Sequence, residues 1–415
     1  MSPHAFTLLF LAALAASTAL HLWLDVRQLR HVGAHRERVP ADFFGRIDLV
    51  AHRRAADYTA AKVRLGMIAT VVDAGVLLAL TLGGALAALD AGLRGPLGGG
   101  YLHGLGLFAG AGLIGFVAGL PTGLYRTFVI EERFGFNKLT WKLWLADLAK
   151  GTALAVAIGG PLLLLVLWMM DAMGRHWWFW VWLVWLGTNL LLLVLYPTVI
   201  APLFNKFTPL EDAALKLRIE ALLSRCGFAA SGLFVMDGSK RSAHGNAYFT
   251  GFGRAKRIVF FDTLLEKLAP QEIEAVLAHE LGHFRHRHVV KRIGLTALLS
   301  FAFLWLLGQL IDQPWLYAGL GVGSGGTAMG LLVFSLVLPV FLFPLAPLTS
   351  ALSRRHEYEA DAYAARQTTA GDLVTALVKL YRDNAATLTP DPLHSLFHDS
   401  HPPASQRIAR LNGAA

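Results

Sequence analysis

Charge is what this chain of 415 residues has least of: Asp, Glu, Lys and Arg make up 16% of it, against 55% hydrophobic residues. Soluble domains carry about a quarter of their residues charged, so a water-soluble globular protein is a poor fit and a polytopic membrane protein a good one. Cysteine is nearly absent. Cys226 stands alone, which excludes an intrachain disulfide and a cysteine-based metal centre. Acids are scarce too, 28 against 37 bases, for a formal net charge of +9. A basic balance can signal nucleic-acid binding. Here the bases sit in short segments beside apolar runs, the pattern of a membrane protein whose basic loops stay inside, and no nucleic-acid partner is expected.

What the chain does have is long apolar runs. The first, residues 5–24, lacks Lys or Arg before it and ends in bulky His21-Leu22-Trp23-Leu24. That reads as a retained span rather than a cleaved signal peptide. Six more are expected near 65–90, 101–125, 152–170, 177–200, 293–313 and 327–350. Residues 25–64 form an Arg-rich polar segment expected inside. The basic loops 126–151 and 201–292 and the tail 351–415 fall on the same side, with the N-terminus outside. Trp177, Trp178, Trp180, Trp182 and Trp185 open the fifth span as an interfacial aromatic belt. The expected organisation is a five-span part (1–200), a soluble part (201–292), two further spans (293–350) and a C-terminal part (351–415).

In the soluble part, Thr208-Pro209-Leu210-Glu211 has the spacing of a capping box with Pro at the first helical position. A helix should follow, then a strand over SGLFVMDG. NAYFTGFGRAKRIVFFDTLL predicts a hairpin turning on Gly251–Ala255, with 245–250 as an exposed edge. Pro270 then opens a helix carrying Ala278-His279-Glu280-Leu281-Gly282-His283. This is H-E-x-x-H. On a helix, His279 and His283 share a face and can reach one ion, and Glu280 stands where it can take a proton from water there. Chance gives at most about 0.04 such matches in a chain of this composition, which argues against coincidence.

Two histidines need a third protein ligand. His286 and His288 are close in sequence, but a straight helix does not bring them to the same ion, so both are expected to face headgroups or solvent. The better candidate lies in SRRHEYEADAYAARQ, where Glu357 can ligate while Asp361, four residues on, supports a ligand histidine. The same spacing describes an ordinary acidic helix face, and spacing alone does not choose between the two.

These blocks, taken together, make the chain recognisable. It resembles the type 1 CAAX prenyl protease family, integral-membrane zinc endopeptidases with seven spans. The resemblance runs through FVIEERFGFNKLTWKLWLADLAKG, YPTVIAPLFNKFTPLEDAALK, GSKRSAHGNAYFTGFGRAKRIVFFDTLL, HELGH, HEYEADAYA and FHDSHPPASQRI, in that order from about residue 100 onward. It implies a mainly α fold, seven transmembrane helices around a chamber, with a cytoplasmic-side zincin-like α+β protease domain. It implies one Zn²⁺ per chain on His279, His283 and Glu357, with Glu280 as general base. Asp361 would be a proton donor or a support for a ligand. His401 and Arg407 would lie near the scissile bond, and His244, Asn246 and Ala247 on a strand that pairs with substrate. The implied partners are peptide or protein substrates, prenylated or not, and the lipid bilayer, with no obligate protein partner. The expected setting is the bacterial inner membrane, or otherwise the endoplasmic reticulum. A general membrane-protein quality-control zinc protease is the main alternative. A transporter with a structural metal site is the other, weakened by the absence of a Cys pair to close such a site.

Overall fold

The computed structural model describes residues 1–229, 231–250, 257–323 and 325–413. The predicted hairpin turn at Gly251–Ala255 lies outside them. Among the described residues, seven helices are long and apolar enough to cross a membrane: Pro3–His35, Leu49–Leu80, Tyr101–Glu131, Trp141–Ala172, Gly174–Phe204, His288–Leu310 and Thr327–Gln367. Between 0% and 22% of each apolar window is buried within the protein. A solid bundle would bury an apolar stripe of every helix. This pattern suits helices that pack on one another over only part of their length, through Phe10, Leu107 and Val333 in one cluster and Leu167 and Leu307 in another, and leave the rest of their apolar surface uncovered.

Hydropathy locates these spans but misplaces their ends. Residues 25–64 are not a loop. The first helix continues to His35, and the second starts at Leu49, capped by the Asp48 side chain accepting from the Ala51 N–H. Arg36 pairs with Asp57, and both Arg36 and Arg53 pair with Glu37, so the polar extensions brace one another outside the apolar layer. The second span ends at Leu80 rather than near 90, and Ala85–Leu97 is a separate helix. Two of the prolines coincide with local widening or tightening of the turn. A π-helical turn, Ala155–Gly159, precedes Pro161, and a 3₁₀ turn, Phe343–Leu345, contains Pro344. After that turn the seventh helix resumes as Ala346–Gln367, well past the apolar run that ends near 350, and carries Glu357 and Asp361 into the soluble half.

The soluble half contains a four-stranded sheet of order β1-β2-β4-β3: β1 (Phe207–Pro209), β2 (Gly232–Met236), β3 (Ala247–Thr250) and β4 (Arg257–Phe261). β2 and β4 run parallel, and the outer pairs are antiparallel, with Ala247 opposite Phe260 and Thr250 opposite Arg257. β3 is therefore an edge. The expected capping box at Thr208–Glu211 is not formed. Thr208 and Pro209 belong to β1, where Pro is tolerated on an outer strand, and the next helix, Ala213–Arg225, is capped by Asp212.

The motif helix Pro270–Arg285 is the hub of this half. Pro270 occupies its first turn, and the Ala269 N–H donates to Glu272 at 2.7 Å. Ile273, Leu277, Ala278 and Leu281 form its buried stripe, packed with Ile258 and Phe260 of β4, Leu222 of Ala213–Arg225 and Leu373 and Leu377 of Ala370–Asp383. Each buried Leu or Ile stabilises by roughly 1.5–3 kcal/mol. Against the Ala346–Gln367 helix the approach is closer still. A Cβ on Gly282 would lie 2.8 Å from the Ala360 Cα. Only glycine lets the two backbones come that near, and this contact sets the spacing of the candidate site.

Candidate metallopeptidase site

With those two helices in contact, three side chains converge. His279 and His283 project one turn apart from the motif helix, with their Nε2 atoms 3.3 Å from each other. Glu357 reaches in from the seventh helix, its Oε2 3.4 Å from His279 Nε2 and its Oε1 3.4 Å from His283 Nε2. One ligand atom from each lies within 4.8 Å of the others. Glu357 Oε2 is buried and has no hydrogen-bond partner among the described residues. A buried carboxylate oxygen left bare is costly. Two imidazoles and one carboxylate meeting at bare atoms are the donor set of an open divalent-metal site, and the residues fit such an ion.

The opposite edges of the two rings are tied down, as metal-binding imidazoles require. His279 Nδ1 lies 2.8 Å from Asp361 Oδ1. Asp361 is itself gripped by Arg407, whose Nε and Nη2 donate at 2.8 and 2.6 Å. His283 Nδ1 lies 3.0 Å from His288 Nδ1, and His288 Nε2 lies 2.9 Å from Glu359 Oε2. His288 is buried, not turned to headgroups as its position in the sequence suggested. The reason is a break after the motif helix. Arg287 adopts a left-handed conformation (φ 54°), so the next helix starts at His288 in a new direction and folds this ring back under His283. His286 is half-buried, its ring stacked on that of His288, and does not enter the metal cluster either.

Electrostatics separates the roles. Burial, reinforced by the neighbouring His279, pushes His283 down to about 3, so it presents a neutral ring. Burial would also lower His279, but the hydrogen bond to Asp361 and the Glu357 carboxylate beside the ring outweigh it and hold that ring at about 9. A cation at Nε2 competes with the proton those carboxylates favour. Burial raises the Glu280 carboxyl, and the nearby Glu357 adds to the effect.

Glu280 lines a cleft of about 280 Å³ with His279, Glu357, His401, Arg407, Asn246 and Ala247. His401 is 61% exposed, with Nε2 3.4 Å from Glu357 Oε1. Arg407 is buried, and only Nη1 remains uncommitted to Asp361, 3.8 Å from Glu357 Oε2. Asn246 and Ala247 stand where the β3 edge meets the cleft. His244 does not. Its ring stacks on Phe136, Nδ1 lies 3.1 Å from Asn384 Oδ1, and it lines a separate cavity with Tyr58, Lys62 and Glu131. Sequence reasoning also missed Tyr381, Leu377 and Leu380, which line the cleft from Ala370–Asp383. The apolar spacing of that helix gives no sign that one flank faces a site.

A membrane-spanning helical ring joined to an H-E-x-x-H helix, with a glutamate brought in from a second segment, defines a membrane metallopeptidase. Comparison with known proteins agrees. Residues 28–206 match the module described as CAAX prenyl protease N-terminal, five membrane helices, and residues 209–415 match peptidase family M48. CAAX prenyl protease 1 of Saccharomyces cerevisiae is 40% identical over 71% of this chain and 68% of its own length. The Homo sapiens homolog is 36% identical over 72% of each. A crystal structure of S. mikatae Ste24p superposes with a TM-score of 0.92 at 32% identity, covering 98% of this chain and 99% of that one. The chain belongs to peptidase family M48, in its CAAX prenyl protease branch. It is a multi-pass membrane metallopeptidase.

Proposed function

We propose that the protein is a zinc-dependent endopeptidase that cuts prenylated CAAX-type substrates near their C-terminus. The observation that carries this is the convergence of His279, His283 and Glu357 at 3.3–3.4 Å, beside Glu280 and next to an unpaired sheet edge. The relatives' names supply the substrate class. His279, His283 and Glu357 hold the ion. Zinc suits two imidazoles and a carboxylate, and when bound it polarises a carbonyl and makes water nucleophilic near neutral pH.

The protein's own residues do the rest. The substrate backbone pairs with the outer edge of β3 at Ala247, extending the sheet by a strand, while the Asn246 carbonyl accepts from the Phe261 N–H of β4 and fixes that edge. Glu280 takes a proton from the attacking water and hands it to the departing amine. His401, the exposed donor on the cleft rim, and Nη1 of Arg407 stabilise the oxyanion. Asp361 orients His279 rather than donating protons, because Arg407 and His279 occupy both its oxygens. The open interior of the helical ring takes the apolar tail. The positions of the basic segments support a cytoplasmic peptidase half and an outside N-terminus. The catalytic half is then assembled from 201–292 and 351–415, on either side of the last two spans.

Mass spectrometry of cleavage tests this in detergent, with a farnesylated CAAX peptide and its unprenylated twin. Wild type should remove the last three residues of the farnesylated peptide alone, and Glu280→Gln should remove nothing. Equal cutting of both peptides would move the assignment to broad membrane-protein quality control.

A further inference from the structure

The first span and the C-terminal segment meet at a second cluster of metal-binding side chains. Asp25, near the polar end of the Pro3–His35 helix, lies 3.4 Å from His394 Nε2. His394 and His398 are four apart on the Pro392–His398 helix, with ring centroids 4.4 Å apart. One ligand atom from each of Asp25, His394 and His398 lies within 4.8 Å of the others. Among the described residues, His394 Nδ1 is buried without a hydrogen-bond partner. His21, one turn before Asp25 on the same helix, stands 6.0 Å from His398 between ring centroids. Its Nδ1 is 2.9 Å from the Ser17 carbonyl, which leaves Nε2 uncommitted.

The support around the cluster is rigid. Asp391 caps the short helix by accepting from the Leu393 and His394 N–H groups. Arg27 donates to the same carboxylate at 2.9 and 3.2 Å, and Gln28 Oε1 accepts from the Asp391 N–H at 2.6 Å. The two helices are therefore pinned beside the cluster by groups that take no part in it.

We propose that Asp25, His394 and His398 form a second transition-metal site, which takes Zn²⁺ and clamps the first span to the segment leading to His401. Two imidazoles and one carboxylate favour a borderline-soft divalent ion over Mg²⁺ or Ca²⁺. An H-x-x-x-H pair on one helix facing a carboxylate on another repeats the logic of the catalytic cluster in a different place. The capacity of the chain is then two zinc ions, not the one that the H-E-x-x-H motif alone implies. The inference does not depend on the substrate.

Equilibrium dialysis of untagged full-length protein against micromolar ZnCl₂, followed by elemental analysis, tests it. Wild type should hold two zinc ions per chain. His398→Gln, on the exposed member, and Asp25→Asn, on the other helix, should each hold one. His283→Ala should also hold one, and His283→Ala with His398→Gln should hold none. Gel filtration of each variant confirms that the fold is kept, and two variants on separate helices guard against loss of either. One zinc in wild type would overturn the proposal. So would two zincs in both His398→Gln and Asp25→Asn.

Discussion

The membrane half and the peptidase half hold themselves together in different ways. In the spans, at most about a fifth of each apolar window is buried within the protein, and Leu191 in the fifth span is 56% exposed. Such side chains answer to lipid. In the peptidase half, the motif helix buries a continuous stripe, and Leu277 is 1% exposed. There the fold depends on side chains packed at native density and on paired polar groups. A hydropathy pattern therefore describes the first half well, whereas the second half is fixed by contacts between segments far apart in sequence.

That contrast can be broken at graded cost. The largest effect is expected at the chemistry. Glu280→Gln should lose at least about 10²-fold in peptide cleavage while binding metal and folding as wild type, measured by steady-state kinetics and metal content. Next comes the buried stripe. Leu277→Ala should cost about 2–5 kcal/mol, read as a lower unfolding temperature of the peptidase half. Asp361→Asn leaves the shape but weakens the hold on His279. Its metal affinity should fall about 10–100-fold, measured by competition with a chelator, and His288→Ala should weaken the hold on His283 in the same way. Gly282→Ala forces a Cβ against the Ala360 backbone and should cost about 1–3 kcal/mol, with loss of metal because the two helices must separate. The smallest effect is expected for Leu191→Ala, within about 0.5 kcal/mol, since that side chain packs little within the protein. A large loss there would contradict the picture of spans that leave most of their apolar surface uncovered by protein.

The sequence makes one half of the site plain and the other only arguable. H-E-x-x-H is local, so helical periodicity alone places His279, His283 and Glu280 together. Glu357 comes from 74 residues further on, and spacing could not separate a ligand from an ordinary acidic face. The seventh apolar run ends near 350, but its helix does not, and hydropathy gives no signal for a helix that continues as a soluble one. His288 was misread because the left-handed turn at Arg287 carries no glycine to announce it. Thr208–Glu211 was misread because β2 offered a strand partner that outweighed a local cap. His244 sits beside Asn246 in sequence yet faces another cavity, drawn there by Phe136 and Asn384 from distant segments. Each miss is a case of tertiary contact overriding a local pattern.

The most direct test of the account is anomalous diffraction at the zinc edge from crystals of the zinc-loaded protein. The account predicts a peak about 2.0–2.2 Å from His279 Nε2, His283 Nε2 and a Glu357 oxygen together. A peak held by the two histidines with Glu357 turned away, or no peak between them, would contradict it.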